Sequence, residues 1–331
     1  MTAAATTNHE LRTRKLFVRI LLSEYLVLFL SAAWFLCVLP FTPGFASAEN
    51  LGNILASMLP LLVVATGQTC VLISGGIDLS VTSTIALSSV AGAQVMSGHT
   101  GGLACGPLAA AGGVAAMLAV GAVVGAFNGA AVTRLRMPPF IVTLTTMMFF
   151  SGFAIWLTQS KNISGLPAAF TIIGGRTAPA FLATLGVAGA AQAVLSRSLY
   201  GRWLYAVGHN PQAAFISGVP VGRVTLLVYI ACGICAAVAS VLYTGRLETG
   251  SPVLGQHILL DVIGATVIGG TSLFGGRGKV IWTVFGVLFL TLIDNSLNLL
   301  NLSQFTIMMV KGGVILLAAV MDSARTRLGA K

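Results

Sequence analysis

Few residues in this chain could do chemistry, and they stand far apart. Asp78 is the one charged side chain between Asn50 and Thr133, set in Val71-Leu-Ile-Ser-Gly-Gly-Ile-Asp-Leu-Ser80. Asp294, Asn298 and Asn301 recur at i, i+4 and i+7, with Asn295 beside them, a spacing that gives one polar stripe on a helix. Lys311 lies within an apolar run, where an ammonium group is costly. Carboxylates and amides are the usual partners of sugar hydroxyls, so the stripe suits either an outer vestibule or a wetted helix end. What is absent narrows the chemistry further. There is no GxxxxGK(S/T), HExxH or GxSxG pattern, and Gly275-Gly-Arg-Gly-Lys279 fails the phosphate-loop spacing. The histidines His9, His99, His209 and His257 fall in tails or loops, so no catalytic centre, metal or bound cofactor is expected.

The elements that position these groups follow from composition. The chain has 331 residues, of which 56% are hydrophobic and 8% charged, and its mean hydropathy is +0.94. Soluble domains carry about 25% charged residues, so the expectation is an all-α, polytopic membrane protein. Ten apolar stretches, each a candidate to cross about 30 Å of hydrocarbon, lie near 21–40, 51–73, 79–97, 103–132, 139–158, 178–196, 222–244, 259–275, 280–300 and 305–322. With both termini cytoplasmic, fourteen Lys and Arg fall inside. Among these are Arg12, Arg14, Lys15, Arg19, Arg134, Arg136, Arg197, Arg202, Arg223, Arg277 and Lys279. Three, Lys161, Arg176 and Arg246, fall outside. The net charge of +10 therefore reads as topological, and no nucleic-acid partner is expected. The apolar run after Arg19 exceeds a signal-peptide core and is expected to stay as the first span. The division expected is a cytoplasmic tail over 1–19, a transmembrane domain over 20–322 and a second tail over 323–331.

Local chemistry refines this plan. Gly75 and Gly76 can end one helix with a left-handed residue, and Asp78 can cap the next by accepting from amides near Ser80 and Val81. The same broken helix could instead expose the carboxylate to a polar pathway or a gate, and the two readings are compatible. If the last two spans turn between Leu302 and Ser303, Asp294 and Lys311 are equidistant from the turn and should form a structural ion pair. Neutralising both is then expected to be milder than neutralising one. Gly121, Gly125 and Gly129 make a ridge for close helix packing, either within the chain or at a dimer seam. The cysteines Cys37, Cys70, Cys105, Cys232 and Cys235 lie in or beside apolar spans, so neither a disulfide framework nor a zinc site is indicated. Between spans, Asn210-Pro-Gln-Ala-Ala-Phe-Ile-Ser-Gly218 reads as a short helix with Asn210 as N-cap, Pro211 in the first turn and Gly218 as its stop. Five spans on each side of a midpoint would give an inverted repeat. The clusters Gly75-Gly76 and Gly269-Gly270 with Gly275-Gly276 nevertheless fall on the same side, which simple inversion does not predict.

Several of these motifs together resemble the permease subunits of ribose/galactose-type bacterial ABC sugar importers. The resemblance rests on Ser-Gly-Gly-Ile-Asp78-Leu-Ser, on Phe127-Asn-Gly129, and on Arg136-Met-Pro-Pro-Phe-Ile-Val-Thr-Leu144. Gly208-His-Asn-Pro-Gln-Ala-Ala-Phe-Ile-Ser-Gly218-Val, Ile268-Gly-Gly-Thr-Ser-Leu-Phe-Gly-Gly-Arg-Gly278 and Val310-Lys-Gly312 extend it. It implies an inner-membrane channel subunit that works with a second permease copy, homomeric or related, and with two cytosolic ATP-binding-cassette ATPases. A periplasmic sugar-binding protein would deliver the solute, and ATP would be used by the ATPases. It also implies that Asn210, Pro211, Gln212, Ala213, Ala214, Phe215, Ser217 and Gly218 form the ATPase contact. The family commonly has Glu at Gln212 and Arg at Phe215, so an apolar knob replaces part of a charged contact. Asp78, Ser80, Asn128, Asp294, Asn295 and Asn298 are the candidate pathway residues. Two other readings stay open at this stage: a branched-chain amino acid importer of similar architecture, and an ion-coupled carrier using Asp78 and Asp294.

Overall fold

The structure, a computed structural model, describes residues 26–98 and 106–329, with side chains as far as 320. Arg12, Arg14, Lys15, Arg19, His9, His99 and Cys105 lie outside the described residues, as does the whole of the expected tail over 1–19. Thirteen α-helices make up the described fold: α1 (Leu26–Val38), α2 (Ala48–Ile73), α3 (Val81–Met96), α4 (Pro107–Thr133), α5 (Pro139–Thr158), α6 (Ala168–Gly175), α7 (Thr177–Arg197), α8 (Leu199–His209), α9 (Pro211–Ile216), α10 (Val221–Leu247), α11 (Leu259–Ile268), α12 (Val280–Leu299) and α13 (Gln304–Gly329). Extended pairing among the described residues is confined to one bridge, where Ile163 and Gly250 exchange backbone hydrogen bonds of 2.8 and 2.9 Å.

Among the described residues six helices are long and apolar enough to cross a membrane: α2, α4, α5, α7, α10 and α12. The apolar stretches of α1, α3, α11 and α13 are shorter. This departs from the expected ten full-length spans, most sharply at 259–275. There α11 stops at Ile268, about 15 Å of helix at 1.5 Å per residue, because Gly270 turns left-handed at φ +93°. Hydropathy registers the apolar composition of the stretch and is blind to the break.

The core centres on α2 and α10. Residues from Met58 to Thr69 of α2 are buried on every face, which suits a helix enclosed by other helices. Pro60 sits within it, among residues buried on every side. The ridge Gly121-Gly125-Gly129 of α4 packs antiparallel on α10. A Cβ on Gly125 would fall 2.8 Å from Ile230 Cα, and one on Gly129 would fall 3.0 Å from Leu226 Cα. These positions are glycine because backbone meets backbone, so the ridge is spent within the chain. At the periphery, α5 turns Met148, Phe149 and Trp156 outward, and α7 does the same with Leu182 and Leu185. Such faces suit lipid or another apolar surface.

Candidate functional site

Three constellations carry the polar chemistry, and the first is the break between α2 and α3. Gly75, at φ +81°, ends α2 in a Schellman turn in which its amide donates to Leu72 O at 2.9 Å and the Gly76 amide donates to Val71 O at 3.1 Å. Asp78 Oδ1 then accepts from Ser80 N at 2.9 Å and from Ser80 Oγ at 2.6 Å. Asn128 Nδ2 of α4 donates to the same Ser80 hydroxyl at 2.7 Å. The preceding carbonyl, Ile77 O, accepts from Thr143 Oγ1 of α5 at 3.2 Å and from Tyr229 Oη of α10 at 3.4 Å. Helix α3 begins two residues later than the capping expectation, with Ser80 as N-cap and no side-chain capping bond, so Asp78 closes the turn before the helix. Asp78, Ser80 and Asn128 are at most 1% exposed. The arrangement holds a carboxylate within apolar surroundings by giving it local donors.

The second constellation lies at the opposite end of the bundle. Lys311 Nζ is 3.0 Å from Asp294 Oδ1 and 2.9 Å from Asp261 Oδ2. The sequence reading joined Lys311 to Asp294 alone. That pair is present, and Asp261 joins it to make a triad, so neutralising Asp294 and Lys311 together would leave Asp261 without its partner. Asp261 was legible in principle, since an acid within an apolar stretch needs a partner as much as a lysine does. The polar stripe also divides. Asn298 Nδ2 donates to Asp294 O and Oδ2 at 2.7 and 3.2 Å, whereas Asn295 exchanges hydrogen bonds of 2.9 and 3.0 Å with Asn50 at the start of α2. Asn301 takes φ +55° in the turn between α12 and α13. A cavity of about 500 Å³ opens beside the triad, with Tyr243, Arg246, Asp261, Thr291, Asp294 and Lys311 among its walls. Mixed charges and apolar surfaces such as Leu61 and Leu290 suit it to a polar, uncharged guest with hydroxyl groups. Asp78, Ser80 and Asn128 do not line this cavity. The six candidate pathway residues therefore occupy three places: the buried break, the triad end, and the Asn50–Asn295 pair.

The third constellation is α8 and α9. Asn210 Oδ1 accepts from Gln212 N and Ala213 N, both at 3.0 Å, and Pro211 occupies the first turn. Gly218, at φ +82°, closes a second Schellman turn in which its amide donates to Phe215 O and the Val219 amide donates to Ala214 O, each at 3.0 Å. Ser217 Oγ donates to Ala213 O at 2.9 Å. Ala214 is buried against the body of the protein, while Phe215 and Ile216 are 72% and 84% exposed. Side-chain caps at one end and a left-handed glycine at the other hold a six-residue helix that displays two large apolar side chains. Sequence reading missed Ile216. Its neighbour Phe215 is expected in the contact as an apolar knob in place of a charged residue, and exposure marks both.

Among the described residues no three His, Cys, Asp or Glu side chains are grouped to hold a metal ion. Cys37, Cys70, Cys232 and Cys235 are free thiols.

Comparison with known proteins places these features. The family model described as "Branched-chain amino acid transport system / permease component" matches residues 50–319. The ribose import permease protein RbsC of Escherichia coli K12 is 34% identical over 327 residues, covering 96% of this chain and 99% of the relative. RbsC of Bacillus subtilis 168 is 37% identical over 299 residues, covering 86% of this chain and 88% of the relative. The L-arabinose transport system permease protein AraH of E. coli K12 is 33% identical over 306 residues, covering 90% of each. No solved structure matches the chain. A helical bundle with several apolar crossings, matched by the family model over most of its length and by transport permeases nearly end to end, identifies this chain as a multi-pass membrane protein of the branched-chain amino acid transport system / permease component family.

Proposed function

We propose that this chain is the membrane-spanning subunit of an ATP-binding-cassette importer that moves a monosaccharide or similar polyol across the bacterial inner membrane by alternating access. The observation that carries the reading is the end-to-end similarity to permeases named for ribose and for L-arabinose. The family description names branched-chain amino acids instead, which keeps an amino acid importer as the second reading. In the proposed assembly α1, α3 and α13, and α11 together with the non-helical segment that continues it to Gly276, complete ten crossings with the six longer helices, and both termini face the cytosol, as the basic residues favour. Two permease copies meet two cytosolic ATPases, and a periplasmic binding protein delivers solute to the end that bears the triad cavity. Phe215 and Ile216 on α9 are the apolar anchors for the ATPase, and the ATPases use the nucleotide while this chain holds no cofactor. Asp294, with Asp261 and Asn298, offers hydroxyl acceptors at the outer mouth, and the triad's own role is structural.

The test is reconstitution of the complete complex in proteoliposomes, with labelled ribose, arabinose and leucine supplied through the cognate binding protein. Uptake of a sugar should need ATP and survive an ionophore. Uphill movement by this chain alone, or loss of ATP-fuelled uptake on adding ionophore, would refute the importer reading. Uptake of leucine in place of sugar would select the second reading.

A further inference from the structure

Three glycine-bearing segments converge at the end of the bundle that carries α8 and α9. They are Gly75 after α2, Gly208 in the last turn of α8, and Gly275 with Gly276 between α11 and α12. The Gly276 amide donates to Ile73 O at 2.9 Å. A Cβ on Gly208 would collide with Ile73 O and lie 2.6 Å from Gly276 N. One on Gly275 would lie 2.7 Å from Gly208 O and 2.9 Å from Gly75 Cα. Every one of these obstacles is a backbone atom, which cannot swing aside as a side chain would. Tyr205 of α8 adds a clasp, its hydroxyl donating to Gly278 O at 2.6 Å. Burial pushes the Tyr205 phenol up, so it stays a protonated donor at neutral pH.

Connectivity gives the junction a direction. Two residues beyond Gly208 stands Asn210, whose side chain caps α9, so the last turn of α8 and the start of α9 share a joint. On the far side, Gly75 and Gly76 lead directly to Ile77, whose carbonyl is held by Thr143 of α5 and Tyr229 of α10. Gly275 and Gly276 lead to α12.

We propose that this backbone junction is the rigid link by which displacement of α9 reaches the α2–α3 and α11–α12 breaks, with Gly208, Gly276 and Tyr205 as positioning residues that couple ATP hydrolysis to gate opening. The inference rests on the importer reading. A packed two-state element biased from both ends is the physical requirement for such coupling.

The experiment compares Gly208→Ala, Tyr205→Phe and Gly222→Ala in the full complex, reading ATP hydrolysis, solute uptake and the amount of complex recovered. Gly208 has helical φ, so alanine there tests the close approach alone, and Gly222 has open space around it and serves as control. Gly208→Ala should move roughly 2- to 30-fold less solute per ATP hydrolysed. Tyr205→Phe should shift the same ratio in the same direction by less, and Gly222→Ala should match the unmodified chain. A purely packing role would lower recovery and leave the ratio unchanged. An unchanged ratio in both Gly208→Ala and Tyr205→Phe, or an equal loss in Gly222→Ala, overturns the proposal. If Gly208→Ala does not assemble, Tyr205→Phe decides: a lowered ratio supports the junction and an unchanged one overturns it. Failure of the unmodified complex to show ATP-driven uptake removes the importer reading, and the coupling role with it.

Discussion

Lys311→Met should be the most damaging single change in the outer triad. Lys311 bridges two carboxylates at 2.9 and 3.0 Å, and its side chain is 11% exposed against 15% for Asp261 and 41% for Asp294. At an effective dielectric constant of about 20, each contact carries roughly 5 kcal/mol of raw attraction. Desolvation offsets most of that, at several kcal/mol per ion. Stranding a buried charge costs about 3–5 kcal/mol. Because water already reaches Asp294, the low end applies, about 3 kcal/mol for Lys311→Met. Asp261→Asn leaves Lys311 with its better-hydrated partner and should cost about 2 kcal/mol. Asp294→Asn removes the most exposed member and keeps the tighter contact, so it should cost about 1 kcal/mol or less. Thermal unfolding of the purified protein in detergent reads these values, at about 1–2 °C per kcal/mol for a chain of this length. The decisive comparison uses multiple replacements. Lys311→Met with Asp294→Asn still strands Asp261 and should recover little, whereas adding Asp261→Asn removes the last uncompensated charge and should recover most of the loss. Full recovery in the double variant, or a midpoint for Lys311→Met equal to that of the unmodified chain, would refute the triad argument.

Two further outcomes are expected. Replacing Phe215 and Ile216 together with serine should weaken co-purification with the ATPase by roughly tenfold or more, as for loss of apolar anchors, while the unfolding midpoint stays unchanged. Gly125→Leu should destabilise by at least about 1–3 kcal/mol through overpacking, whereas Gly152→Leu, with open space around it on α5, should not; both are read by the same unfolding assay.

Capping chemistry was the most legible layer of the fold, because it is decided within a few residues. Asn210, Pro211 and Gly218 define both ends of α9, and Gly75 ends α2, as their residue types indicate. Burial costs made Lys311 conspicuous, and chain geometry brought it to Asp294 across one turn. Asp261 escaped because its approach to Lys311 spans fifty residues of sequence separation, which no periodicity encodes. Asn295 was grouped with Asp294 by adjacency, yet neighbouring helix positions diverge by about 100°, and it meets Asn50 on another face. The span count outran the helices for a related reason, since apolar composition continues through Gly269 and Gly270 while the helix does not. The glycine junction was out of reach because a close approach between distant segments leaves only glycines behind, and this chain has 39 of them.

The seam between α4 and α10 has a mechanical corollary. Side-chain interfaces can creep by switching rotamers, but main chain pressed on main chain at Gly121, Gly125 and Gly233 leaves nothing to re-pack. The two helices are thus bound to travel as a single strut, and whatever shape change the bundle undergoes must be taken up where its other walls join that strut.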